Sequence, residues 1–203
     1  MEKHYHRKIS QKKSASFVRI IGGLWKGRKL IVHNVEGLRP TMDKVKETLF
    51  NWLAQEIPQA KCLDLFAGSG RLGFEAASRK AEIVVLIESD LIIYKQIQAN
   101  ILLFKASNVS VVHTDVLSYL KKRGSPYHVV FIDPPFHKNL AIEVAQLLER
   151  NGWLAENAAI YVETESGLVV EGLPSNWDLY RKKNTRGVSY YLFKRIAKLD
   201  GTG

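Results

Sequence analysis

Cysteine is nearly absent: Cys62 is the single one among 203 residues, which leaves no partner for an internal disulfide. It stands in the apolar run Cys62-Leu63-Asp64-Leu65-Phe66, where a small thiol fills space rather than reacts. Long hydrophobic runs are missing as well. No stretch approaches the roughly 20 uncharged apolar residues of a membrane span. The polar segment Met1 to Lys13 lacks the apolar core of a signal peptide. The six histidines keep no metal-ligand spacing with cysteine or acidic partners. These absences imply a soluble, cytoplasmic chain that involves neither membrane nor metal.

Acidic residues are also scarce, 20 against 30 Lys and Arg, for a formal net charge of +10. The imbalance is uneven: residues 1 to 50 carry +8, residues 51 to 176 carry −3, and residues 177 to 203 carry +5. Basic ends around a mildly acidic middle fit a catalytic or cofactor-binding centre flanked by surfaces that meet a polyanion. With 46% hydrophobic residues the chain can bury one substantial core. The expected organisation is a basic tail (1–16), a hairpin-and-helix unit (17–57) and a main domain (58–197).

In the second of these, Phe17 to Gly23 and Gly27 to Val32 are β-prone runs around a Gly-bounded turn, which predicts a hairpin. Thr41 is placed to cap a helix that begins near Met42 and is stopped by Pro58. From Lys61 onward short apolar runs alternate with amphipathic ones. Strands are predicted at Lys61 to Phe66, Glu82 to Ile87, Val109 to His113, Tyr127 to Ile132 and Ala158 to Glu163. Helices are predicted around Leu72 to Ser78, Leu91 to Phe104, Val116 to Lys121 and Leu140 to Arg150. Such alternation means an α/β, doubly wound, mostly parallel sheet. Trp177 to Lys183 and Val188 to Lys194, joined by Asn184-Thr185-Arg186-Gly187, close the seven-stranded sheet with an antiparallel hairpin.

The segment Asp64-Leu65-Phe66-Ala67-Gly68-Ser69-Gly70-Arg71-Leu72-Gly73 sits where the first parallel strand turns into its helix. Gly68, Gly70 and Gly73 match G-x-G-x-x-G, and Glu88 ends the next strand, placed for a ribose diol. On that pattern alone a dinucleotide is a fair reading. Asp64 and Phe66 tilt it toward S-adenosylmethionine, whose cationic amine and sulfonium a carboxylate ahead of the turn attracts, whereas a pyrophosphate is repelled. Asp115 and Val116 follow the third strand. From there they reach an adenine, or Asp115 is simply a helix N-cap, and both readings stand.

A buried apolar strand then ends abruptly in Asp133-Pro134-Pro135-Phe136 at the carboxyl edge of the sheet. The two prolines hold the backbone stiff, so the Asp133 carboxylate and the Pro134 carbonyl point one way. Two acceptors gripping the N–H bonds of an exocyclic base amine favour a pyramidal nitrogen and aim its lone pair at a methyl donor. Phe136 is placed to stack on the base. Asp-Pro and Pro-Pro also terminate strands without any chemistry.

The two motifs together resemble those of the amino-methyltransferases, which act on DNA adenine N6 or RNA guanine N2. Arg19-Ile20-Ile21-Gly22-Gly23-Leu24-Trp25-Lys26-Gly27-Arg28-Lys29-Leu30 and Leu38-Arg39-Pro40-Thr41 through Trp52 closely resemble the RsmD family, from about residue 17 to 195. That resemblance implies a Rossmann-like enzyme using S-adenosylmethionine to methylate guanine N2 in small-subunit (16S) ribosomal RNA, within an assembly intermediate. It places Thr41 and Arg39 near the cofactor. Lys44 and Lys46 stand where the family commonly has arginine, which keeps the charge but not the bidentate fork. Arg19, Trp25, Lys26, Arg28 and Lys29, with Arg39, are the candidate RNA contacts; solvated hairpin charges are the plainer alternative. A DNA adenine-N6 methyltransferase and a non-catalytic nucleic-acid binder on the same fold are the competing functions.

Overall fold

The structure is a computed structural model, and it describes residues 16–32, 40–135, 140–165, 172–185 and 187–196, with side chains omitted at 40–43. Phe136, Arg39 and Arg186 lie outside the described residues, as does the side chain of Thr41.

Strands β1 (Ser16–Arg19) and β2 (Lys29–Val32) form an antiparallel ribbon, and helix α1 (Pro40–Trp52) follows. The main sheet holds β3 (Lys61–Asp64), β4 (Ile83–Glu88), β5 (Val109–His113), β6 (Tyr127–Ile132), β7 (Leu154–Glu165), β8 (Trp177–Thr185) and β9 (Val188–Arg195). Helices α2 (Arg71–Ser78), α3 (Leu91–Phe104), α4 (Val116–Leu120) and α5 (Leu140–Arg150) connect them. The order is β5-β4-β3-β6-β7-β9-β8, with β9 antiparallel to both its neighbours. The winding reverses between β3 and β6, and the crevice at that switch point is where an open α/β sheet binds ligands. Among the described residues no helix is long and apolar enough to cross a membrane.

Alternation along the strands divides the core in two. Cys62, Val84, Leu86, Val129, Phe131 and Tyr161 face α1, α2, α3 and the ribbon, whereas Leu63, Ile87, Val130, Ile132 and Ile160 face α4 and α5. Strands buried on both faces read as continuous apolar runs, as Val129 to Ile132 does. Cys62 is fully buried, and burial pushes its thiol up to about 12, so it is inert filler.

The ribbon shares the first core: Val18, Ile20, Leu30 and Val32 pack with Phe74 and Phe104. Its free backbone groups are met by polar side chains of the main domain. Ile21 N–H donates to Glu75 (2.9 Å), Trp25 N–H donates to Ser78 Oγ (2.9 Å), and Ser78 Oγ donates to the Gly22 carbonyl (2.6 Å). The Asn100 amide accepts from Ile31 N–H and donates back to the Ile31 carbonyl.

Among the boundaries that differ from the sequence reading, three have an evident local cause. Helix α1 starts at Pro40, so Thr41 falls inside the first turn and not at the cap; proline is favoured there because its missing N–H is unneeded. The helix ends at Trp52, where the chain tightens into turns, with Ala54 N–H bonded to the Asn51 carbonyl, before Pro58 is reached. β7 starts four residues earlier than its apolar run, because the exposed Glu156 and Asn157 sit at a register shift between Tyr127 and Val129.

Candidate active site

At the carboxyl ends of β3, β4 and β6 lies a cleft of about 370 Å³, within the range of roughly 300–1,000 Å³ usual for small-molecule sites. Of the sequence candidates, Phe66, Ala67, Gly68, Ser69, Glu88, Asp115, Val116, Asp133 and Pro135 line it together. The lining also includes Arg71, Ile87, Ser89 and Leu140, which sequence reasoning did not select.

The glycine loop is shaped by its own contacts. Gly70 precedes α2 with φ 75°, a left-handed conformation in which a Cβ would also meet the Phe74 ring at 2.9 Å. At Gly73 a Cβ would lie 2.4 Å from Leu86, so glycine lets α2 press against β4. Glu88 ties the loop to the second strand: its Oε2 accepts from Gly68 N–H (2.9 Å) and its Oε1 from Asp90 N–H (2.8 Å). Asp115 caps α4 by accepting from Ser118 N–H (3.0 Å), and its exposed carboxylate still borders the cleft.

Asp64 is placed differently from the lining residues. It is 2% exposed, outside the lining, and its Oδ2 accepts from Gly73 N–H (3.1 Å) in the first turn of α2. Burial, then the negative charge of Asp133, push its carboxyl up to about 7, against the pull of Gly73 N–H and Arg71. The unfolded chain ionises this group near its ordinary 3.8. Ionisation between the two values therefore costs folded-state stability as pH rises. Asp64→Asn keeps an acceptor for Gly73 and removes that cost. We expect the variant to be more stable than the parent in urea at pH 8, by about 1–3 kcal/mol, with the gain vanishing near pH 4. A gain independent of pH would show that Asp64 stays ionised in the folded protein.

Asp133 follows β6 and is ion-paired with Arg71, at 2.9 Å from Nη2 to Oδ2. The same nitrogen lies 3.6 Å from Glu163 Oε2, which accepts from the Tyr161 hydroxyl (3.1 Å). Burial and Asp133 push the Glu163 carboxyl up from its ordinary value, opposed by Arg71 and by Tyr161. Burial works against the Arg71 charge, but Asp133 and Glu163 outweigh it and raise its proton affinity. Sequence signals for both residues existed. Arg71 opens a helix, where the dipole disfavours a cation, and Glu163 ends an apolar strand at the ligand-binding edge.

The proposed RNA contacts divide by their surroundings. Arg19, Lys26 and Lys29 are exposed, the last with its ammonium 5.5 Å from the Phe17 ring. Trp25 is half-buried, edge-on to Phe104 at 5.3 Å. The Arg28 guanidinium covers Phe104 at 4.0 Å and donates to the Leu103 carbonyl (3.0 Å). Lys46 is buried: its ammonium donates to the Arg19 carbonyl and lies 3.7 Å from Glu75.

The model of the family described as "Conserved hypothetical protein 95" matches residues 18–194. The Ribosomal RNA small subunit methyltransferase D of Escherichia coli K12 is 50% identical over 181 residues, 89% of this chain and 91% of that protein. Its namesake in Haemophilus influenzae is 50% identical over 192 residues, 93% of this chain and 99% of the relative. The solved structure of yhhF from Escherichia coli superposes with TM-score 0.83 at 50% identity, covering 90% of this chain and 100% of that one.

Proposed function

Since the chain belongs to the RsmD family, we propose that it is a methyltransferase that uses S-adenosylmethionine to methylate guanine N2 in small-subunit (16S) ribosomal RNA. The observation that carries this reading is one cleft lined by residues of both motifs, the Phe66 to Ser69 loop and Asp133 and Pro135 of the proline turn. The donor set fits that cofactor. Among the described residues, Glu88, Asp115 and Asp133 border the cleft against a single cation, Arg71, while Ile87, Val116 and Leu140 supply apolar walls. Such a lining suits an adenosine bearing a positive tail and repels a pyrophosphate.

Bound S-adenosylmethionine supplies an electrophilic methyl group on a sulfonium. In this reading Glu88 would take the ribose hydroxyls and Asp115 and Val116 would hold the adenine, with Thr41 assigned to the cofactor by the family resemblance alone. The Asp64 carboxyl, buried beneath the loop, contributes negative potential in its ionised form. Asp133 and the Pro134 carbonyl hold the two amine hydrogens. That amine nitrogen would receive the methyl group of the cofactor, with the cofactor's own sulfur as the leaving group, and Asp133 or water would accept the surplus amine proton. Phe136 follows the turn in sequence and serves as the stacking platform. The substrate is ribosomal RNA, as part of a small-subunit assembly intermediate in the cytoplasm.

The test is incubation with labelled S-adenosylmethionine and a panel of ribosomal RNA, partly assembled subunits, tRNA and duplex DNA. Nucleoside mass spectrometry should find N2-methylguanine in the small-subunit substrates. N6-methyladenine in the duplex would overturn the proposal in favour of a DNA enzyme.

Residues 17–57 are the RNA-binding extension in this reading, with Arg39 preceding the helix in sequence. Arg28 and Trp25 are engaged with Phe104, so the more accessible charges of the ribbon are Arg19, Lys26 and Lys29. Replacing those three with Gln should weaken RNA binding and flatten the log–log salt dependence by roughly 2, at about 0.7 per lost single-strand phosphate contact. Cofactor affinity should hold. An unchanged slope assigns the ribbon to the fold alone.

A further inference from the structure

The loop and the catalytic turn are tied by one residue that neither motif explains. Arg71 is the first residue of α2, and its guanidinium enters the cleft between Asp133 (2.9 Å) and Glu163 (3.6 Å). A cation at a helix N-terminus opposes the helix dipole, and such a departure from local preference marks a functional position. Its surroundings state what it opposes. Asp133 comes from the end of β6, Glu163 and the Tyr161 hydroxyl from β7, and the Tyr190 phenol from β9. The buried Asp64 carboxyl on β3 also interacts with the Arg71 charge. Arg71 is the cation that bridges Asp133 and Glu163.

We propose, resting on the methyltransferase reading, that Arg71 is a positioning residue: held between Asp133 and Glu163, it stops the two carboxylates from sharing a proton and fixes Asp133 by Oδ2, leaving Oδ1 to accept from the target amine. Two carboxylates that face each other without a cation share a proton, because both cannot ionise cheaply in a partly buried pocket. A proton on Asp133 turns an acceptor into a donor and blocks transfer of the amine proton. Glu163 in turn is the competing carboxylate that makes Arg71 necessary. Its burial and its bond from Tyr161 hold it in place beside Asp133.

The test compares the parent protein with Arg71→Met, Arg71→Lys and the double variant Arg71→Met/Glu163→Gln. Single-turnover methylation of a small-subunit substrate is followed from pH 5 to 9. Carboxyl ¹³C NMR titrations are run on the ligand-free proteins. Arg71→Met should lower the rate at pH 7 on the order of 10-fold and move the acid limb of the profile up by about one pH unit, the shift that loss of a nearby opposite charge produces. Arg71→Lys should recover most of the rate, and Glu163→Gln should bring the acid limb of Arg71→Met back toward the parent. The ligand-free titration should show the same displacement of the shared proton. A uniform loss of rate with no change of the acid limb, or a titration unmoved by Arg71→Met, overturns the proposal. Failure of the parent to methylate any small-subunit substrate overturns the functional reading instead, and the ligand-free titration still decides what Arg71 does to the carboxylates.

Discussion

Alanine at position 133 is expected to slow single-turnover methylation of a small-subunit substrate by on the order of 100-fold or more, the usual cost of deleting a preorganised hydrogen-bonding group. Binding of S-adenosylmethionine should change little. Asp133 borders the cleft at the end of β6, and Arg71 already occupies one of its oxygens. The substitution therefore removes the remaining acceptor and frees Arg71 to pair with Glu163 alone. Asparagine separates geometry from charge. Its amide oxygen accepts from the amine but takes no proton, so Asp133→Asn should fall between the parent and Asp133→Ala. The measurement is single-turnover rate beside cofactor affinity for all three proteins. An alanine variant as fast as the parent would remove Asp133 from the chemistry, and an asparagine variant as slow as alanine would mean that charge outweighs geometry.

The largest expected loss of stability lies elsewhere, at Glu75. This carboxylate is fully buried, accepts from Ile21 N–H and from Arg79 Nε at 2.9 Å each, and faces the buried Lys46 ammonium at 3.7 Å. Glu75→Ala removes one side of a buried ion pair and strips Ile21 of its acceptor. Such a change typically costs about 3–5 kcal/mol, which for a domain of this size lowers the melting temperature by roughly 6–20 °C. Glu75→Gln should lose less, because an amide oxygen still accepts from Ile21. Calorimetry on both variants checks the ranking. A loss below about 1 kcal/mol would mean that apolar packing alone holds the ribbon to α2.

The periodic parts of the molecule were legible because burial imposes period. α3, α5, β5 and β6 have the limits their apolar patterns predict, Leu91–Phe104, Leu140–Arg150, Val109–His113 and Tyr127–Ile132. Punctuation marked the glycine loop and the Asp-Pro-Pro turn. Pairings between distant positions were not legible. Nothing local at Glu75, Ser78 or Asn100 separates them from ordinary polar helix residues, yet each is buried to satisfy a backbone group of the ribbon. Arg71 and Asp133 stand 62 residues apart and meet only once α2 and β6 flank the same strand. The position of β9 between β7 and β8 likewise depends on sheet order, which strand periodicity does not encode.

The placement of β9 has a consequence for the order in which the molecule is completed during synthesis. β7 pairs on one side with β6, which precedes it, and on the other with β9, made only after β8. In a chain released before Val188, the apolar Ile160-Tyr161-Val162 stretch therefore presents an unpaired edge, the kind of surface that recruits another unfinished chain. β8 cannot cover that edge, because in the finished sheet it bonds to β9 and not to β7. Residues 188–195 thus act as the seal of the nascent sheet, and a ribosome stalled before them releases a product that has its cleft-forming strands but keeps an adhesive flank.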